Sequence, residues 1–153
     1  MDYFTLKTLE NPWARRGALL AINLLFMMVW GFAGLSKVAL GMPPWFNEKF
    51  GPTFLGRFLG VTTSFWLLTA AELLALTLTG AALARFEFWK TSSPKWLLAS
   101  LVWSLFVFVQ LGFGNWLIGD FNSGYQLFSY FGMTLVALHY VQSLPSGNPP
   151  SQV

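Results

Sequence analysis

The sequence predicts an all-α integral membrane protein folded as a four-helix bundle, and three observations carry that prediction. Only 10% of the 153 residues are charged and 55% are apolar, whereas an ordinary soluble domain is roughly 25% charged. The mean hydropathy is +0.55. Four stretches are long and apolar enough to cross about 30 Å of hydrocarbon, which takes about 20 helical residues each. An aromatic content of 18%, with eight Trp and sixteen Phe, also excludes a flexible solvated chain.

The elements follow in order. Residues 1–16 form an N-terminal segment that ends on Arg15 and Arg16. The first span covers about 17–40, too long for the 7–15-residue apolar core of a signal peptide, so it reads as an uncleaved anchor. Residues 41–57, GMPPWFNEKFGPTFLGR, form a long loop. Its Pro43-Pro44 pair stops the first helix. Trp45, Phe46, Phe50 and Phe54 are too apolar to sit free in water, so the loop is expected to lie at the membrane interface or over the bundle as a short amphipathic helix.

The second span covers about 58–84. Gly56-x-x-x-Gly60 at its start and Gly80-Ala81-Ala82 at its end permit close helix contact. The next loop, RFEFWKTSSPKW, places Ser92-Ser93-Pro94 where a helix would start. The third span runs from about 96 to 118 and the fourth from about 124 to 144, the last diluted by Gly124, Gln126, Ser129 and Gly132. The tail 145–153 has the composition of a flexible end.

Positive charge predicts orientation. With the N-terminus inside, the cytoplasmic segments hold Lys7, Arg15, Arg16, Arg85, Lys90 and Lys95, and the outer side holds Lys37, Lys49 and Arg57. Both termini are therefore expected in the cytoplasm, in a cell membrane of the bacterial inner type. Trp13, Trp89 and Trp96 would mark the inner interface, and Trp45, Trp116 and Tyr125 the outer one.

The chain has no cysteine and one histidine. Disulfides, thiol catalysis and iron–sulfur ligation are excluded, as is any site that needs two imidazoles from this chain. A nucleic-acid role lacks the concentrated basic surface it requires.

Polar side chains inside spans are costly and by default face the bundle interior or a partner. The candidates are Asn23 and Lys37 in the first span, Glu72 in the second, Gln110 in the third and His139 in the fourth. Helical spacing groups Asn23, Met27, Trp30, Gly34 and Lys37 on one stripe, Thr62, Thr69, Glu72 and Thr79 on another, and Trp96, Trp103 and Gln110 on a third. The fourth stripe is Phe128, Gly132, Leu135 and His139. Each is expected to look inward.

Counted from the middle of its own span, Glu72 is central, Gln110 lies about 5 Å outward, Asn23 and His139 about 7–8 Å inward, and Lys37 about 13 Å outward. A direct Lys37–Glu72 ion pair would then stretch both side chains, and Glu72 with Gln110, or Asn23 with His139, are the better matches. Glu72 reads either as a hydrogen-bonding group that fixes helix packing, or as a proton-relay group or quinone ligand. His139 reads as an interfacial histidine or as an axial ligand to haem or chlorophyll magnesium. The Trp and Phe side chains could stack on a carotenoid or quinone tail, although lipid contact accounts for most of them.

LLFMMVWGFAGLSKVALG, residues 24–41, resembles the opening helix of the DoxX-like family through Ala33, Gly34, Leu35, Ser36 and Lys37. TAAELLALTLTGAAL, residues 69–83, is similar to that family's second helix through Glu72 and Gly80, and GDFNSGYQLFSYFGMTLVAL to its closing segment. The resemblance implies a four-helix membrane bundle, and among its members are small subunits of thiosulfate:quinone oxidoreductase and partners in other membrane redox assemblies. It transfers no catalytic residue. The leading expectation is a non-catalytic accessory subunit of a larger membrane redox or energy-converting complex, whose partners are the lipid bilayer and other membrane protein subunits. The alternatives are a quinone-interacting oxidoreductase subunit using Glu72, Gln110 or His139, and a pigment- or lipid-binding scaffold at the edge of a photosynthetic complex.

Overall fold

A computed structural model describes residues 11–90 and 93–144. Lys7, Ser92 and the tail 145–153 lie outside the described residues. The described chain is all-helical: α1 (Pro12–Leu40), α2 (Pro44–Phe50), α3 (Phe54–Phe58), α4 (Val61–Ala84), α5 (Lys95–Leu117) and α6 (Phe121–Ser143). By length and composition α1, α4 and α5 could each cross a membrane. The fourth long helix, α6, is as long as α5 at 23 residues, but its polar residues, Asn122 and Gln126 among them, dilute it.

Local chemistry sets the boundaries, and several differ from those read off hydropathy. Helix α1 begins at Pro12 rather than near Gly17, because the Asn11 side chain accepts a hydrogen bond from the Trp13 N–H at 3.0 Å and Pro12 sits in the first turn, where no amide donor is needed. It stops at Gly41, whose φ of 72° suits glycine. The loop 41–57 contains α2 and most of α3. The expected Gly56-x-x-x-Gly60 packing motif does not lie on one helix. Gly56 is in α3, where a Cβ would collide with the carbonyl oxygens of Phe50 and Gly51. Gly60, at φ 80°, breaks the chain before α4. The second long helix accordingly starts at Val61 rather than Phe58.

The long helices that adjoin in sequence pack most closely: α1 on α4, α4 on α5 and α5 on α6. Helix α1 buries Leu19, Asn23, Phe26, Trp30 and Gly34, and α4 buries Phe65, Thr69, Glu72, Ala75, Thr79 and Ala82. Both sets recur at spacings of three and four, as one helical face requires. The main core joins Trp30, Leu101, Val107, Phe108 and Val141. A smaller core is built from the loop itself, with Phe46 and Phe50 against Phe65.

Two ends can be distinguished. At the basic end, the Arg16 guanidinium lies 4.3 Å from the Trp89 ring and Trp13 meets Trp89 edge-on at 6.4 Å. At the loop end, Trp116 meets Tyr125 at 6.4 Å and Lys49 lies 5.7 Å from the Trp45 ring.

Candidate functional site: a polar seam between the helices

The first pair in the seam is set by helix register. Gly34 of α1 packs on Leu73 of α4, where an added Cβ would meet Leu73 Cδ2 at 3.0 Å, and Gly31 faces Leu76. The helices are antiparallel, so three residues onward along α1 is three residues back along α4. Lys37 is therefore level with Ala70, only about 3 Å of axial rise from Glu72. Side chains lean toward the N-terminus of their own helix, and in an antiparallel pair this brings Lys37 and Glu72 toward each other. The Lys37 ammonium donates to both Glu72 carboxylate oxygens at 2.7 Å and to the Ala33 carbonyl at 3.3 Å. Glu72 is 1% exposed and Lys37 24%.

Two spans set level would hold these side chains apart at full stretch, but the helices are staggered: α1 is displaced toward the basic end. Its last residue, Leu40, is level with Leu67, about 9 Å short of the start of α4. Phe46 of α2 covers the α4 face left open, 5.2 Å from Phe65 between ring centroids.

Asn23 is buried, but against α4 rather than His139. With the amide turned to satisfy both neighbours, its nitrogen donates to the Thr79 carbonyl at 3.1 Å and its oxygen accepts from the Leu83 N–H at 3.3 Å. Gln110 and His139 do not join the seam, because both are exposed. Helix α5 buries Ser100, Leu101, Ser104, Val107 and Phe108 instead. Helix α6 turns Gly124, Thr134 and Val141 inward, with Leu127, Phe131 and Leu138 partly buried beside them. That stripe is one residue, about 100° of helix, away from the one ending in His139. Of the other expected inward residues, Thr62 and Phe128 are exposed, while Thr69 and Thr79 are buried and bond to carbonyls of their own helix.

Three further links escaped the sequence reading. The Trp30 indole donates to the Ser104 hydroxyl at 2.9 Å, which donates in turn to the Ser100 carbonyl at 2.7 Å, tying α1 to α5. The Trp103 indole donates to the Ala71 carbonyl at 2.9 Å, tying α5 to α4. The third is Glu87, 7% exposed, whose carboxylate accepts from the Trp96 and Leu97 N–H groups at 3.0 Å. It supplies the side-chain cap of α5, which starts at Lys95 directly after the Ser92-Ser93-Pro94 run that predicts a helix start at that point. A reversal places it there: Phe86 takes a φ of 53°, and the Glu87 and Phe86 amides bond back to the Ala82 and Leu83 carbonyls, a Schellman ending of α4. The signal lay in the loop, where Glu87 is the one carboxylate among Arg85, Lys90 and Lys95.

At the loop end Asp120 caps α6, accepting from the Ser123 N–H at 3.1 Å and the Ser123 hydroxyl at 2.8 Å. The backbone bond first, then the hydroxyl, hold its carboxyl below the ordinary aspartate range.

Chemically, the seam joins helices. Its buried carboxylate is engaged by an ammonium and its buried amide by a neighbouring backbone. Among the described residues no three of His, Cys, Asp or Glu cluster as metal ligands. An imidazole on the outside of α6 could ligate only a chromophore held between this chain and a neighbour. Gln110 instead lines a pocket of about 340 Å³ at the loop end. Comparison with protein-family models, with curated proteins and with solved structures finds no match to this chain.

Proposed function

We propose that the chain is a four-span membrane bundle, both termini cytoplasmic, that serves as a non-catalytic accessory subunit of a larger membrane assembly. The observation that carries this reading is the outward face of α6. Asn122, Gln126 and His139 are exposed there, on the helix that closes the row and packs chiefly on α5, whereas the exposed Ser129 hydroxyl already donates to the Tyr125 carbonyl at 3.3 Å. Amide and imidazole groups facing hydrocarbon are unfavourable unless another helix supplies partners. Apart from the buried Ser100 hydroxyl, the inward groups are engaged, so the unmet hydrogen-bonding capacity of the α6 amides and imidazole points to a neighbouring subunit. At about 34 Å, α6 is long enough to cross. Lys and Arg concentrated at the basic end favour the cytoplasm for that end. The redox character of the assembly rests on the resemblance of residues 24–41 and 69–83.

Photo-crosslinking in native membranes tests the proposal. A photoreactive residue at Gln126 or His139 should capture one defined membrane protein, and the same probe at Phe106, on the apolar outer face of α5, should not. Equal labelling from all three positions, or a chain that purifies alone in mild detergent, would refute it. The chain has no native cysteine, so Glu48→Cys and Lys95→Cys variants report orientation cleanly. An impermeant maleimide should label the first in intact cells and the second only after lysis.

A further inference from the structure

The pocket at the loop end lies between α2, α4 and α5 and reaches the first turn of α6. Phe46, Phe50, Leu68 and Leu111 make its wall apolar, while Gln110, Asn115, Lys49 and Asp120 bring polar groups to it. Lys49 is near enough to help lower the Asp120 carboxyl, yet the two form no ion pair; the ion pair among the described residues is Lys37–Glu72. Opposite charges thus border one cavity without meeting. A second groove, of about 760 Å³ and almost wholly apolar, follows the α5–α6 seam from Phe108 to Trp116, about 12 Å along the helix. Phe113 lines both.

A cavity bordered by a cation and an anion, with an apolar groove on the other side of the exposed Phe113 ring that runs toward the bundle's middle, has the layout of a lipid with a doubly charged head. We propose that the two together bind one zwitterionic phospholipid, with its phosphate on Lys49, its ammonium on Asp120 and one acyl chain along the α5–α6 groove. A net-anionic lipid brings no cation to Asp120 and sets negative charge against it. A quinone offers carbonyl oxygens to Gln110, Asn115 and Lys49 but brings no cation to Asp120. The site does not depend on the accessory-subunit reading, since a chain without protein partners would still present it.

Native mass spectrometry of protein released from nanodiscs of equal phosphatidylethanolamine and phosphatidylglycerol tests this. The wild type should retain one phosphatidylethanolamine per chain, in preference to phosphatidylglycerol by roughly threefold, the scale of exposed charge pairs. The Lys49→Gln/Asp120→Asn double variant should lose that preference while keeping α6 capped, because Asn caps as well as Asp. Gly112 lines the groove with open space where a side chain would start. Gly112→Leu should therefore lower total lipid retention and leave the headgroup preference intact. Equal retention of both lipids by the wild type, or a preference that survives in the double variant, overturns the headgroup assignment. Unchanged retention in Gly112→Leu overturns the placement of the chain.

Discussion

The Lys37–Glu72 pair permits a sharp test of the seam. Lys37→Met removes the ammonium that sits 2.7 Å from both Glu72 oxygens, leaving a carboxylate that is 1% exposed without its cation. Glu72→Leu leaves the ammonium with only the Ala33 carbonyl at 3.3 Å. Breaking a buried pair on one side costs about 3–5 kcal/mol. The lower figure applies here, because Lys37 keeps about a quarter of its side-chain exposure. Each single variant should therefore lose about 3 kcal/mol. The double variant replaces two charges with apolar groups of similar volume, a change that is commonly neutral or stabilising, and should lie within about 1 kcal/mol of wild type. Its loss then falls far short of the additive expectation of about 6 kcal/mol. Reversible unfolding in bicelles measures all four corners of the cycle. Additive losses would mean that the two side chains do not interact in the folded protein, and the stagger of α1 against α4 would be wrong with them.

Other expectations follow from the same contacts. Glu87→Ala should destabilise by about 2 kcal/mol, the upper range of a helix cap, and Glu87→Gln by less, with faster hydrogen exchange at the Trp96 and Leu97 amides; unchanged exchange would disprove the cap. Gly34→Val should cost about 1–3 kcal/mol as overpacking, since even its first carbon would crowd Leu73, and a variant as stable as wild type would contradict the close α1–α4 approach. Ser104→Ala should cost about 1 kcal/mol by leaving the Trp30 indole unpaired, measured against Trp30→Phe/Ser104→Ala in the same unfolding assay. The lowered Asp120 carboxyl lends stability that is complete above the ordinary aspartate range and is lost as pH falls through its lowered value. Acid unfolding of Asp120→Asn should lack that component, and identical acid profiles would remove Asp120 from the cap.

Three of the long helices, α1, α4 and α5, are legible because hydrophobic length alone defines them, whereas polar residues dilute the signal of α6. Which residues meet was legible only in part. Lys37 and Glu72 stand out as charges inside apolar runs, but their pairing depends on a vertical offset that no single helix encodes. Phe46 and Phe50, set by that offset, were placed only broadly at the interface or over the bundle. The inward face of α6 was misjudged for a different reason. In water a polar stripe marks the outside, but in a bilayer both the core and the surroundings are apolar, so periodicity cannot say which side of α6 packs. Leu127, Phe131, Leu138 and Val141 pack, and His139 faces out. Glu87 was missed because a cap supplied from nine residues upstream, across a loop, leaves no local signature at the helix it serves.

The ion pair also bears on how the chain enters the membrane. During synthesis Lys37 emerges 35 residues ahead of its partner charge, and α4 carries its carboxylate near mid-helix, where an unaccompanied acidic residue raises insertion cost by about 2.5–3.5 kcal/mol. Insertion one helix at a time would strand each charge in turn, whereas entry as a hairpin delivers both already neutralised. α4 alone in a translocon insertion reporter should thus insert less well than with Glu72→Leu, and restoring α1 upstream should recover the difference only when Lys37 is present. The same bond that fixes register in the finished bundle then makes the first two long helices a single unit of biogenesis.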